Sequence, residues 1–374
     1  MFYTDCRSIK IAKQALRKML LLLMFLHGTI AIFAQQSSDT ANIALHLDAM
    51  AFFDNKEFTN GIKKGYTLPG FYIDPSLSYS VGNFDLRAGI HAAYFAGADS
   101  TYRLQPTLLI SYSPVPILDM RLGSLPRGTR RMPEPLYKPE CVFAERPPLG
   151  IEFALNHPCV AANLWLNWER YIERGSPFQE EFMVVFSGCY SLSGEAKEVM
   201  PSGLSASLYA VATHAGGQID SSNLPVTSIA NLGLNLAYGQ SLGSGLVFGP
   251  KVSAYLSADI SPNPHIAYKR GFAAQYTLWL RYKGLKAEAG FWYGDSFVTP
   301  RGEEIFGSIS TRGSLNNEQR RRLLTLQAAY VHSVLSGFDL RFSAGVYAAS
   351  VGQIDYFYTL TMGFSGALFG RHLR

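Results

Sequence analysis

The sequence predicts an all-β chain folded as a transmembrane antiparallel β-barrel of about 16 strands, within a range of roughly 14 to 18. Three observations carry this prediction. Segments of about ten residues repeat a two-residue rhythm, an export-type segment precedes them, and no later apolar run reaches the roughly 18 residues that a spanning helix needs.

The rhythm is plainest near the C-terminus. Phe338, Leu340, Phe342, Ala344 and Val346 occupy one parity, and Asp339, Arg341, Ser343 and Gly345 the other. Successive side chains of a strand point to opposite faces, so this segment has one oily face and one polar, charged face. Such a chain crosses a membrane with strands and not with helices.

Residues 1–34 read as a cleavable signal. Arg7, Lys10, Lys13, Arg17 and Lys18 precede the apolar run Met19 to Leu26, and cleavage is expected after Ala34. His27-Gly28-Thr29 interrupts the run, which argues against a membrane anchor. The signal carries five Lys/Arg and Asp5, a net +4, so the whole-chain charge of +5 falls to +1 in residues 35–374. That balance gives no support for nucleic-acid binding, and no nucleic-acid partner is expected. Cys141, Cys159 and Cys189 then remain, without CxxC or Cys/His spacing, so neither a metal nor any other cofactor is expected. No linker divides residues 35–374, which are expected to form one barrel domain.

Turn signals place strands near 41–54, 65–81, 83–96, 101–113, 115–125, 147–156, 159–172, 179–193, 203–213, 226–238, 243–259, 269–283, 285–295, 321–334, 337–349 and 353–366. The connections alternate. Short ones, such as Gly82-Asn83, His157-Pro158, Lys283-Gly284 and Ser336-Gly337, follow even strands, whereas long ones such as 55–64, 126–146 and 296–320 follow odd strands. Short periplasmic turns and long outward loops give this pattern, with both termini in the periplasm. Two connections depart from it: Gly194 to Ser202 is long for a turn, and Val351-Gly352 is short for a loop. The faces agree with a wet interior, since the polar parity carries charges that a dry sandwich core would not accommodate. Aromatics such as Phe84, Tyr94, Trp168, Tyr276 and Tyr282 end the apolar parities, at headgroup level.

The sharpest internal pattern is Asp-x-Arg on the inward parity. Asp85/Arg87, Asp119/Arg121 and Asp339/Arg341, with Lys286/Glu288 in a matching place, form a belt of opposite charges near the periplasmic end. Such a belt either braces the wall or sets a transverse field that orients a solute. The basic loop Pro126 to Pro148 carries Arg127, Arg130 and Arg131, which would favour anions if the loop folds into the mouth, or stand in solvent if it does not. Trp165, Asn167 and Glu169 are candidate contacts for a polar ligand on the inward parity, and the neighbouring Trp168 to Glu181 stretch suits either sugar stacking or an interfacial girdle. His214 and Asp220 share a flexible loop and read more readily as a solvated pair than as catalysts. His91 and His332 lie within strands, where serines of neighbouring strands are in reach. GxSxG and HExxH are absent, so an enzyme is not the expected reading.

Over essentially all of residues 35–374 the chain resembles the outer-membrane β-barrels of Gram-negative bacteria. The Ala34-Gln35-Gln36 junction and the aromatic-rich strands are similar to those of Bacteroidota. Such barrels commonly end on an aromatic residue, whereas here a basic tail, Gly370 to Arg374, follows the last expected strand. The long basic loop is similar in place to the third outward loop of sixteen-stranded porins. The resemblance implies an outer-membrane protein in contact with lipid and lipopolysaccharide, forming a porin-like channel for small polar or weakly charged solutes. A non-transporting barrel within a secretion or surface-polysaccharide assembly is the alternative, with a lipid-modifying enzyme behind it. A homo-oligomer or an envelope-machinery partner is compatible with each.

Overall fold

The structure is a computed structural model, and it describes residues 41–97, 102–127, 131–196, 198, 200–349 and 352–373. The expected signal, residues 1–34, lies outside the described residues. The strands run in order as β1 (Ala41–Glu57), β2 (Tyr66–Val81), β3 (Phe84–Phe95), β4 (Tyr102–Val115), β5 (Leu118–Ser124), β6 (Leu149–Asn156), β7 (Val160–Arg170) and β8 (Glu180–Ser191). The second half continues as β9 (Gly203–Gly216), β10 (Thr227–Ser241), β11 (Leu246–Asp259), β12 (Arg270–Tyr282), β13 (Leu285–Asp295), β14 (Arg320–Leu335), β15 (Phe338–Ala349) and β16 (Ile354–Leu373). Each pairs antiparallel with its sequence neighbours, and β1 pairs with β16 to close the ring. Closure removes the free sheet edges that a membrane would not tolerate.

The short turns have a local cause. Gly82 (φ 53°) and Gly337 (φ 79°) supply the left-handed residue that a two-residue hairpin requires. Two of the boundaries that differ from the sequence reading have a plain local cause. β11 begins at Leu246 and not at residue 243, because Gly243, Ser244 and Gly245 all adopt positive φ and form the turn. The expected basic tail is strand, since β16 continues to Leu373 opposite Ala41, with a bulge at Leu45/His46 absorbing the register shift.

The two faces of the wall separate cleanly. On β10, Leu232, Leu234 and Leu236 are 51%, 47% and 51% exposed on the outer face, while the alternating Asn231 and Asn235 are buried inside. A row of exposed leucines on one parity is a surface built for acyl chains, whose contact is worth about 25 cal/mol per Å² of apolar area. Among the described residues, no helix is long and apolar enough to cross a membrane. The closed ring with an apolar outer face is a fold that crosses a membrane with strands.

Candidate functional site

The interior is filled at both ends. The outward segments 125–127, 131–148 and 296–319 fold into the lumen, where Leu125, Leu136, Phe297, Ile305 and Phe306 pack against wall residues that include Trp165, Val185, Tyr255, Trp292 and Tyr347. The Phe306 ring meets Trp292 at 4.9 Å and Tyr347 at 5.7 Å, both edge-on. Backbone bonds strap the loops together: Lys138 N–H donates to the Arg301 carbonyl (2.8 Å), and Glu303 N–H to the Glu134 carbonyl (2.9 Å). From below, the connection between β8 and β9 rises into the barrel, which explains its length. Its Ala196 is fully buried, Met200 packs on Val247 and Trp279, and Glu195 and Glu198 pair with Arg281 at 3.4 and 2.9 Å. Arg131 donates to the Ala196 carbonyl, so the upper plug touches the lower one.

A buried ionic latch holds the upper plug. Glu303, 1% exposed, bridges Lys56 of β1 and Lys63 of the first outward loop. Lys56 also meets Glu140 (3.0 Å), Lys63 meets Glu304 (2.6 Å), and Lys138 reaches Glu140 (2.8 Å) and Glu304 (3.4 Å). Burial pushes the Glu304 carboxyl up, but Lys63 and Lys138 outweigh it and hold the group down to about 2. Glu134 goes the other way: burial and then the Glu303 carboxylate raise it, although it accepts hydrogen bonds from Tyr347 (2.6 Å) and Gln327 (2.7 Å). Sequence reasoning missed this cluster because its members come from the end of β1 and from three distant loops. The available signal was the set Phe297, Val298, Ile305 and Phe306, too apolar for a loop standing in water.

The expected site residues fare unevenly. Of the belt, Asp119 and Arg121 meet each other at 3.0 Å, and Arg121 also takes Glu152 (2.9 Å). Glu288 pairs with Lys251 (2.9 Å), while Asp85 and Asp339 accept from Ser80 (2.5 Å) and Ser333 (2.6 Å). Arg87, Lys286 and Arg341 take no part in these contacts, which apart from Asp119–Arg121 join one strand to another. Side chains facing each other across a strand pair lie closer than residues two apart on one strand. Arg127 is no free eyelet charge: it is buried over the Tyr72 ring (4.1 Å), beside His91 (3.0 Å) and Asp74 (3.8 Å), and anchors its loop to the wall. Arg131 is spent on Ala196, and Arg130 lies outside the described residues. Trp165 is 1% exposed under Tyr137, out of reach of a ligand, because the infolded loop covers it.

Asn167 and Glu169 do line a cavity, of about 870 Å³, at the loop end of the barrel. Arg103, Glu145, Arg146, Trp168, Arg170 and Arg301 share it. Arg301 holds Glu145 and Glu169, each at 2.8 Å. On the outer face nearby, Trp168 stacks on Phe182 (5.3 Å), Phe182 meets the His214 ring at a tilt (4.9 Å), and His214 Nδ1 lies 2.8 Å from Ser228 Oγ. His214 is thus paired with Ser228, while Asp220 caps the N–H of Ser222 (2.9 Å). His91 meets Asp74 (2.6 Å), His332 stacks on Tyr330, and a further serine contact joins His46 and Ser78 at 2.9 Å. Among the described residues no group of His, Cys, Asp and Glu is arranged to hold a metal ion.

Comparison with solved structures agrees with the architecture. OccK8 (OprE) of Pseudomonas aeruginosa superposes with a TM-score of 0.51 at 10% identity, over 87% of this chain and 98% of that one. OpdL of the same organism gives 0.50 at 14% identity, over 87% and 99%. At such identities the likeness is one of fold. No curated protein sequence matches the chain. The sequence model of one family does, over residues 35–371, which is nearly the whole described barrel. By that match the chain belongs to the lipid A 3'-O-deacylase-type family.

Proposed function

We propose that the barrel works at the outer leaflet on an acylated, anionic saccharide lipid of the lipid A class, removing an ester-linked acyl chain. The observation that carries this reading is the closed interior: the packed loops and the raised periplasmic turn leave the loop end and its lipid-facing rim as the working surface. Family membership supplies the substrate class. His214 and Ser228 supply the chemistry at that level. His214 Nδ1 accepts the hydroxyl proton as Ser228 Oγ attacks the ester carbonyl, the sugar alkoxide leaves with a proton, and water then releases the fatty acid from the serine. Trp168 and Phe182 offer the adjoining apolar surface for the chain.

The test is mass spectrometry of a lipid A-class lipid after incubation with the purified barrel in mixed micelles. Loss of one acyl chain is expected, abolished by Ser228→Ala and His214→Ala. An unchanged lipid mass with the folded wild type would overturn the reading.

The charged periplasmic half of the lumen favours a second reading, a porin-like channel for small polar solutes that conducts only when the plug is displaced. Planar-bilayer recording separates the two. Openings of porin size that appear once the plug is displaced support the channel, and a folded, hydrolytically inert barrel that stays silent even then points to a scaffold in an envelope assembly.

A further inference from the structure

The wall is notched on one side of the loop end. β5 and β6 are only 7 and 8 residues long, and their ladders stop early: β4 pairs with β5 from Leu109 down, and β7 with β6 from Asn167 down. Residues 103–107 of β4 and 168–170 of β7 therefore lack a strand on the sides that face each other. At about 3.4 Å per residue the gap is roughly 17 Å deep along β4 and about 10 Å along β7. Leu108 N–H points across it, to Ser124 Oγ at 3.3 Å. Pro106 has the same orientation two residues further out and carries no N–H, so that edge offers one donor fewer to an added strand.

The 870 Å³ cavity sits in this gap and is lined from both faces of the wall. Asn167 belongs to the inward parity of β7 and Trp168 to its outward parity, and a bulge follows Trp168. A cavity lined from both parities opens sideways through the wall as well as upward. Its chemistry is graded. Arg301 is occupied by the two carboxylates and Arg170 by Glu181 (3.0 Å), whereas Arg103, lying over the Phe95 ring, donates to the Ala144 carbonyl (3.4 Å), and Arg146 donates to the Glu169 carbonyl; each keeps guanidinium N–H groups outside these contacts. Leu104, Leu108 and Leu149, exposed by 75%, 51% and 51%, continue on the lipid side.

We propose that this notch docks a phosphate-bearing lipid of the outer leaflet from the side. Arg103 and Arg146 take the phosphate, and Leu104, Leu108 and Leu149 lie along the acyl chains. A guanidinium recognises phosphate through paired N–H donors, and the apolar strip below it selects an amphiphile over a free anion. The docking stands whether or not the lipid is then hydrolysed, and its test reads binding alone.

Native mass spectrometry of the full barrel in detergent, titrated with a bis-phosphorylated acylated disaccharide and with its dephosphorylated counterpart, measures it. The phosphorylated lipid is expected to bind at least tenfold more tightly, and Arg103→Gln/Arg146→Gln to erase that preference while far-UV circular dichroism and heat-modifiable gel mobility stay unchanged. Leu104→Asn/Leu149→Asn, which spares both arginines, should weaken both lipids alike. Equal affinity for the two lipids, or a preference that survives the arginine substitutions, overturns the proposal. So does displacement of the lipid by an equimolar amount of inorganic phosphate, which would identify a free-anion site.

Discussion

Glu303→Gln tests whether the ionic latch holds the plug in place. The carboxylate is 1% exposed and shared by two buried ammonium groups. Removing one partner from a buried pair costs about 3–5 kcal/mol when the other charge is left uncompensated. Here each lysine keeps a second carboxylate, Glu140 at 3.0 Å from Lys56 and Glu304 at 2.6 Å from Lys63, so the loss falls to about 2 kcal/mol. That shifts the displaced population of the plug about 30-fold. The barrel ladder is untouched, so the effect should be confined to the loops. Hydrogen exchange should quicken in 131–148 and 296–319 but not in β10 to β12, and brief openings should appear in planar bilayers where the wild type is quiet. If the exchange of both loops is unchanged, the latch does not restrain the plug and the electrostatic reasoning is wrong.

Three further outcomes follow from the same geometry. Phe306→Ala removes a fully buried ring between Trp292 and Tyr347 and should cost the plug about 3–5 kcal/mol, read as an earlier change in tryptophan fluorescence on denaturant titration. Glu304 is held below its ordinary 4.5, so its support is present above pH 4.5 and is lost as pH falls toward 2; the plug should loosen over that window in the wild type, and Glu304→Gln should flatten the acid response while lowering stability at neutral pH. Leu234→Arg places a charge on the lipid face and should destabilise the barrel in bilayers by about 2–4 kcal/mol, or by about 0–1 kcal/mol if the site lies near the interface, measured by equilibrium refolding into vesicles.

The wall was legible in the sequence because strand parity and turn chemistry are local. Gly82-Asn83 and Ser336-Gly337 announce their hairpins without reference to anything distant. The interior was not legible to the same degree. Arg127 reads as a loop charge until Tyr72 and Asp74, more than fifty residues earlier, are brought beneath it. Glu303 and Lys56 belong to segments with no shared pattern, and only the closed ring makes them neighbours. The notch had a sequence trace in the short strands around residues 118–156, but a gap is defined by the registers of four strands, and register follows from pairing geometry as well as from the residues of one strand.

The pairing of Ala41 with Leu373 has a consequence for how this molecule comes to exist. Every other seam of the ring joins chain neighbours and can zip as soon as a hairpin is available, but this one joins the two ends of the described chain. Its closure carries the largest loop entropy of any contact and comes last. Until then β1 and β16 are two long unpaired edges, 17 and 20 residues of open hydrogen-bonding template. Delivery of the barrel to its membrane is therefore a problem of guarding one seam, and whatever assists its insertion has to hold those two edges apart from other chains and then release them to each other.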